Sequence, residues 1–277
     1  MNEVNGSIVL YHDQEDKLLR AINSFLNTNL QVKLYLVDNS SNDSLRKFST
    51  LDDRIEYIFN DSNLGYGRAH NIAIRESIKA GVPYHVVLNS DVHFNNEVIK
   101  VLYDFMNANP DVGLVMPKIL YPNGELQYDC KLLPTPFDSF GRRFLNWGPF
   151  KKYVEKRNHI YELRFADYDK IMNVPYLCGC FIFLRVSVLK EIGLFDERFF
   201  MYPEDIDLTR RIHKKYKTLY YPHVYVVHEH QRASYKNMKM LFIHAQNMAR
   251  YFNKWGWFFD KERDIINRNT LHDLKLL

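Results

Sequence analysis

The chain of 277 residues is 46% hydrophobic and 25% charged, a globular composition that excludes a disordered or fibrous protein and allows one large or two small domains. Its net charge of +4 suits an anionic small ligand or an acidic membrane surface, and falls short of a nucleic-acid-binding footprint. Aromatic residues reach 15%, which serves core packing and stacking on flat ligands equally well.

The first half alternates strand and helix signals. Ser7–Tyr11 is a short apolar run ending at His12-Asp13, and Lys17–Leu26 carries Leu18, Leu19, Ile22, Phe25 and Leu26 at helical spacing. Val32–Val37 reads as a second strand, stopped by the turn cluster Asp38-Asn39-Ser40-Ser41-Asn42-Asp43. Ile55–Phe59 reads as a third strand, Arg68–Ala80 as a helix and Tyr84–Leu88 as a fourth strand. A further helix runs from about Asn96 to Met106 and stops at Asn109-Pro110. This alternation implies right-handed crossovers and a mostly parallel sheet, where ligands bind at the carboxyl ends of strands. The loops at those ends, Tyr11-His12-Asp13, Asp38-Asn39-Ser40, Asn60-Asp61-Ser62-Asn63 and Asn89-Ser90-Asp91, are all rich in carboxylates and amides.

The second half loses the regular alternation. Pro117–Pro136 reads as hairpins or loops, and Phe137–Asp169 as a polar-aromatic insertion with no clear assignment. Val174–Arg185 reads as a buried strand, Ser187–Ile192 as a short helix closed by Gly193, Ile206–Lys215 as a helix and Val224–Val227 as the last strand. From Lys236 onward Met238, Leu241, Phe242, Ala245, Met248, Ala249 and Phe252 follow helical spacing, among Lys236, Lys239, Arg250 and Lys254. This basic amphipathic tail ends in Trp255-Gly256-Trp257-Phe258-Phe259. It fits a helix lying on an anionic bilayer, and equally one packed across the preceding domain or in a homodimer interface. The expected division is a domain of residues 1–235 and a tail of residues 236–277.

Three cysteines, Cys130, Cys178 and Cys180, exclude a disulfide framework and lack metal-type spacing, so buried free thiols in a reducing compartment are expected. Met1–Gly6 has neither the basic flank nor the apolar segment of a signal peptide. No apolar run is long enough to span a bilayer. The expected location is the cytoplasm, with peripheral contact at the inner face of the membrane.

Four segments can carry chemistry. A carboxylate at a strand end, as in Asn89-Ser90-Asp91, can hold a hard divalent cation, and can equally cap a turn or helix. The run Phe195–Leu208 places five carboxylates among aromatics. Pro203 is suited to open a helix, which makes Glu204 and Asp205 first-turn acids, and desolvation beside Phe199, Phe200 and Tyr202 raises a carboxylate toward the pKa of a useful base. His228 ends an apolar strand, where an imidazole serves as a metal ligand or as a packing residue. The stretch Asn63–Asn71 opens a helix with Gly65 and Gly67, whose backbone can approach a pyrophosphate beside Arg68, although its spacing is neither a P-loop nor a dinucleotide-binding fingerprint.

In order along Ser7–Ser234, Val37–Asp43, Asn63–Asn71, Leu88–Asp91, Asn109–Gly113, Gly193–Glu197, Phe199–Leu208 and His228 resemble family 2 glycosyltransferases of the GT-A fold, in the rhamnosyltransferase-like branch. The resemblance implies an α/β, Rossmann-like, mostly parallel sheet flanked by helices, with a C-terminal helical extension. It further implies an inverting, metal-dependent transfer from a dTDP- or UDP-sugar, with L-rhamnose frequent in the branch, to a polyprenyl-linked glycan in surface-polysaccharide or cell-wall assembly. On this resemblance Asp38 contacts the nucleoside, with Tyr11 and Asn63 nearby, and Asn89-Ser90-Asp91 occupies the place of the Asp-x-Asp motif with Asn in the first position. Asp91 and His228 then hold Mg²⁺ or Mn²⁺, Gly65 and Arg68 line the donor site with Asn89 and Ser90, and Asp205, or Glu204, is the base. Two other classes compete. A non-catalytic nucleotide-sugar-binding module would be expected to lose the intact acids. A nucleotidyltransferase would need a glycine-rich basic loop after the first strand, which Tyr11-His12-Asp13 does not supply.

Overall fold

The structure, a computed structural model, describes residues 2–141, 150–229 and 238–276. Among them a nine-stranded sheet forms in the order β3-β2-β1-β4-β10-β6-β11-β5, with β8 added on β11. Its strands are β1 (Val4–Leu10), β2 (Val32–Asp38), β3 (Ile55–Phe59), β4 (Tyr84–Leu88), β5 (Val92–His93), β6 (Val112–Leu120), β8 (Met172–Asn173), β10 (Phe181–Arg185) and β11 (Lys217–His228). A two-stranded ribbon pairs β7 (Cys130–Lys131) with β9 (Tyr176–Leu177). The helices are α1 (Glu15–Leu26), α2 (Tyr66–Lys79), α3 (Val98–Ala108), α4 (Lys151–Tyr161), α5 (Val186–Ile192), α6 (Glu204–His213), α7 (Met238–Trp255) and α8 (Lys261–Asp273), and a 3₁₀ turn spans Ser44–Thr50.

Strands β3, β2, β1 and β4 are mutually parallel. β10 runs antiparallel to both β4 and β6, so it reverses direction once and restores it, and β11 is parallel to β6. Consequently β1, β2, β4, β6 and β11 all end at one edge of the sheet. The apolar runs behind this edge are fully buried: Val86, Val87 and Leu88 in β4 and Phe181–Leu184 in β10. Each such side chain contributes about 1.5–3 kcal/mol through burial. α1 covers one face with Leu18, Ala21, Ile22, Phe25 and Leu26, and its first-turn acids Glu15 and Asp16 suit the helix dipole.

Several local expectations are corrected. Val112–Leu120, expected partly as loop, is a central nine-residue strand despite Pro117, because Pro117 faces Tyr221 where the register of β11 shifts and the bulge absorbs the missing donor. Val174–Arg185 is not one strand: Tyr176–Leu177 joins the ribbon and Phe181–Arg185 the main sheet, with Cys178-Gly179-Cys180 turning between them. The last strand begins at Lys217 rather than Val224. The unassigned stretch 137–169 contains α4, and residues 142–149 within it lie outside the described residues.

The C-terminal helices pack on the preceding fold. Met248, Tyr251 and Phe252 are buried with Leu133, Phe199 and Ile206, and Trp257 stacks on Phe140. Lys254 pairs with Asp196 and Asp207, whereas Phe258 and Phe259 are 76% and 96% exposed. Lys236 and the expected 235/236 boundary lie outside the described residues, as does the side chain of Lys239. No helix among the described residues is long and apolar enough to cross a membrane.

The tail is locked to α6 by Arg210, which is 1% exposed. Its guanidinium donates to both oxygens of Asp260 (2.7 and 2.8 Å) and to Glu262 (2.9 Å), and it lies 4.0 Å from the Trp255 ring. Asp260 also accepts the Arg263 N–H and so caps α8. Arg210→Met leaves that buried carboxylate without its partner, which costs about 3–5 kcal/mol. A melting temperature lower by on the order of 10 °C is expected in thermal denaturation, and an unchanged one would contradict this role.

Candidate active site

The common strand edge assembles the acids. At the end of β11, His228 pairs with Val92 of β5, and the Glu229 N–H donates to the carbonyl of Asp91 (3.0 Å). The short hairpin of Asp91 into β5 thus sets the Asp91 carboxylate 3.4 Å from His228 Nε2. Gln127 fixes the imidazole. Its amide nitrogen donates to the carbonyls of Leu120 (3.3 Å) and His228 (2.8 Å), so its Oε1 is the atom facing His228 Nδ1 at 3.1 Å. Nδ1 therefore carries a proton toward Gln127, and Nε2 is turned toward Asp91. Burial works to raise the Asp91 pKa, but the hydrogen bond and charge of His228 outweigh it and hold the carboxyl below its usual value. A carboxylate converging with an oriented imidazole in this way fits a divalent cation.

The neighbouring strand ends build a loop frame. Ser90 donates to Asp13, which also accepts the Tyr11 N–H (2.6 Å). Burial raises the Asp13 pKa, and the charges of Asp91 and Asp38 add to that. Tyr11 itself is 56% exposed, a ring available for stacking. Asp38, expected at the nucleoside, is fully buried, and both oxygens are engaged, by the Ser40 N–H (2.8 Å) and the Tyr57 hydroxyl (2.5 Å). These two bonds brace the loop that follows β2. Asn39 joins the loop after β2 to the loop before α2 by donating to Asn63 (3.4 Å) and the Gly65 carbonyl (3.3 Å) and accepting from Asn60 (2.9 Å).

Gly65 and Gly67, expected to open their amides to a pyrophosphate, serve a different contact. Gly65 has φ +85°, and a Cβ there would lie 2.4 Å from the Phe200 carbonyl; its N–H donates to Asn63 (3.0 Å) and that of Tyr66 to Phe200 (2.9 Å). The glycines let the start of α2 press against the Phe195–Glu204 segment. Arg68, on the same turn, lies 3.6 Å from Glu197.

That contact positions the acids of α6. Pro203 immediately precedes the helix, so Glu204 and Asp205 open its first turn. Tyr202 before it adopts φ +92°, a conformation costly for a side chain (about 1–3 kcal/mol) and typical of a functional turn. Asp205 accepts the N–H groups of Gly179 (3.0 Å) and Ile206 (2.7 Å). Burial nevertheless raises its pKa to about 6, with the two N–H groups and Lys131 moderating the rise. A Cβ on Gly179 would come within 3.1 Å of the Asp205 Cβ, so the residue must be small. Glu204 points the other way, packed near Gly67; burial, with the Asp205 charge adding, drives its pKa well up.

Tyr66 connects the two halves. Its hydroxyl lies 2.8 Å from both Asn89 Oδ1 and the Gly179 carbonyl. The path Asn89–Tyr66–Gly179–Asp205 joins the end of β4 to the start of α6. Sequence reasoning missed Gln127 and Lys131, and reached Asn39 and Tyr66 only as members of longer motifs.

The arrangement has parallels among known proteins. The family model for Glycosyl transferase family 2 matches residues 7–193. The N-acetylglucosaminyl-diphospho-decaprenol L-rhamnosyltransferase of Mycobacterium tuberculosis is 29% identical over 213 residues, 73% of this chain and 68% of that protein. The low-salt glycan biosynthesis hexosyltransferase Agl10 of Haloferax volcanii is 27% identical, over 78% of this chain and 63% of its own length. A crystal structure of GalNAc-T7 with UDP, GalNAc and Mn²⁺ superimposes with a TM-score of 0.66 at 14% identity, covering 92% of this chain and 49% of that one. The chain thus spans about half the length of that structure, and at this identity the likeness concerns the fold.

Proposed function

The chain belongs to glycosyl transferase family 2, with a GT-A fold and rhamnosyltransferase-like relatives, and on that premise we propose that it transfers a sugar, L-rhamnose or a related hexose, from a nucleotide-diphospho-sugar to a hydroxyl of a lipid-linked glycan, with inversion at the anomeric carbon. The observation that supports this reading is the chain of contacts from Asn89 to Asp205, which links the strand end bearing the carboxylate–imidazole pair to the helix start bearing a raised carboxylate. Asp91 and His228 hold Mg²⁺ or Mn²⁺, and the ion supplies charge neutralisation at the diphosphate when bound. Asp205, ionised at neutral pH and oriented by Gly179 and Ile206, accepts the proton of the acceptor hydroxyl, which attacks the anomeric carbon from the face opposite the nucleotide. Tyr11 stacks on the nucleoside, while Asp38, Asn63 and Gly65 shape the loops around it and Arg68, Asn89 and Ser90 border the donor.

The lipid-linked acceptor rests on the activity for which the mycobacterial relative is named, and the exposed Phe258-Phe259 corner supports a peripheral seat on the inner face of the membrane. Residues 1–235 are the catalytic unit in this reading, and the tail is its buttress. A pure binding module has no need of a base tuned to about 6, which favours the enzyme. The test is a thermal-shift panel of dTDP, UDP and GDP with and without Mn²⁺. One nucleotide is expected to stabilise strongly only with the ion, and Gln127→Leu, which frees the imidazole to change tautomer, should weaken that effect by about 10–100-fold in affinity. Absence of any Mn²⁺-dependent shift in the parent protein would overturn the assignment.

A further inference from the structure

The structure places a second set of donors beside the base. Asp129 immediately precedes β7 and Cys178 immediately follows β9; the ribbon pairs Cys130 with Leu177, and the Cys178 N–H donates to the Asp129 carbonyl (3.2 Å). Cys180, two residues on, turns its thiol back to the same side. One donor atom from each of Asp129, Cys178 and Cys180 lies within 4.8 Å of the other two. Cys180 is buried, Cys178 half-buried, and the Asp129 side chain 15% exposed. Asp129 Oδ2 is itself shut off from solvent and, among the described residues, accepts no hydrogen bond, so it is a buried acceptor atom left without a partner there.

We infer that Asp129, Cys178 and Cys180 form a cation site for a soft divalent ion such as Zn²⁺, separate from the Asp91–His228 pair. The chemistry of the donors differs between the two. Thiolates favour Zn²⁺ over Mg²⁺ and Mn²⁺, whereas the carboxylate–imidazole pair accepts the harder ions. The distances fit: tetrahedral bonds of about 2.3 Å to sulfur set neighbouring sulfurs roughly 3.8 Å apart, which small side-chain rotations reach from the present spacing. Charge also closes. Two thiolates and a carboxylate carry three negative charges, and Zn²⁺ together with the Lys131 ammonium, 3.7 Å from Asp129 Oδ1, supplies three positive ones. Binding displaces the two thiol protons to solvent, and a water completes the shell.

The site reaches the reaction centre through one peptide. Gly179 lies between the two cysteines, donates its N–H to Asp205 and accepts the Tyr66 hydroxyl, so an ion drawing Cys178 and Cys180 together fixes the group that orients the base.

The experiment is a Co²⁺ titration of the full chain with Mn²⁺ present in excess, read as sulfur-to-cobalt charge-transfer absorption. A band of one equivalent is expected, displaced by Zn²⁺ and insensitive to Mn²⁺. Cys178→Ser and Cys180→Ser should each weaken binding by at least about tenfold, and Asp129→Asn likewise with the band position kept. Cys130→Ser, in the fully buried neighbour, should leave it unchanged. Absence of the band, its survival in Cys178→Ser and Cys180→Ser, or its loss in Cys130→Ser would overturn the site. Melting curves show which variants are folded, and Asp129→Asn keeps the test decisive if a cysteine variant is not.

Discussion

Asp205→Asn is expected to cut transfer by about 10²–10⁴-fold while nucleotide affinity stays within about twofold of wild type. The substitution removes the proton acceptor and keeps the shape. Its stability cost should be small, because two effects oppose each other. In the folded protein the Asp205 pKa is raised from 3.8 to about 6, so the fold prefers the protonated form. The contribution of this group to stability is therefore largest below about pH 3.8 and declines as pH rises through about 6, by on the order of 3 kcal/mol. Asparagine escapes that penalty at neutral pH. It has one acceptor oxygen for the N–H groups of Gly179 and Ile206, however, and the lost bond costs about 1–3 kcal/mol. A melting temperature within a few degrees of wild type is the result, so lost turnover reports on chemistry. The parent enzyme should lose activity tenfold per pH unit below about 6 as the base is protonated, with a plateau above. Retained turnover in Asp205→Asn, or a flat profile through pH 6, would remove Asp205 as the base.

Asp91→Ala is expected to act on binding instead. The nucleoside diphosphate should lose at least about tenfold in affinity when Mn²⁺ is present and change little when it is absent, and turnover should fall by about 10²–10³-fold. Isothermal titration calorimetry in both conditions makes the comparison. The variant also withdraws a like charge from Asp13, whose pKa should move down toward its ordinary value. Unchanged affinity with Mn²⁺ would detach Asp91 from the cation. The pair of variants separates the two ends of the cleft, one altering turnover alone and the other the ion-dependent binding.

Much of this cleft was legible in the chain because each parallel strand ends where its apolar run gives way to turn residues. Val32–Val37 before Asp38, and Tyr84–Leu88 before Asn89, locate two of the edge loops to within a residue. The acids of α6 were legible for a similar local reason, since Pro203 opens a helix and the dipole favours the carboxylates that follow it. The strand containing Pro117 was not legible, since only the bulge in β11, a hundred residues further along, makes a proline tolerable there.

Local sequence thus determined which residues stand at strand ends and helix starts, and with them the fold class and the candidates Asp91, Glu204, Asp205 and His228. Tertiary structure alone decided how the candidates divide their work. Glu204 and Asp205 are chemically alike neighbours, but one packs near Gly67 while the other accepts two N–H groups that moderate the rise burial imposes on it. The proton on His228 is settled by Gln127, and the meeting of Asp129 with Cys178 and Cys180 by the β7–β9 ladder. Desolvation and hydrogen bonding act through space, between groups that the chain order keeps far apart.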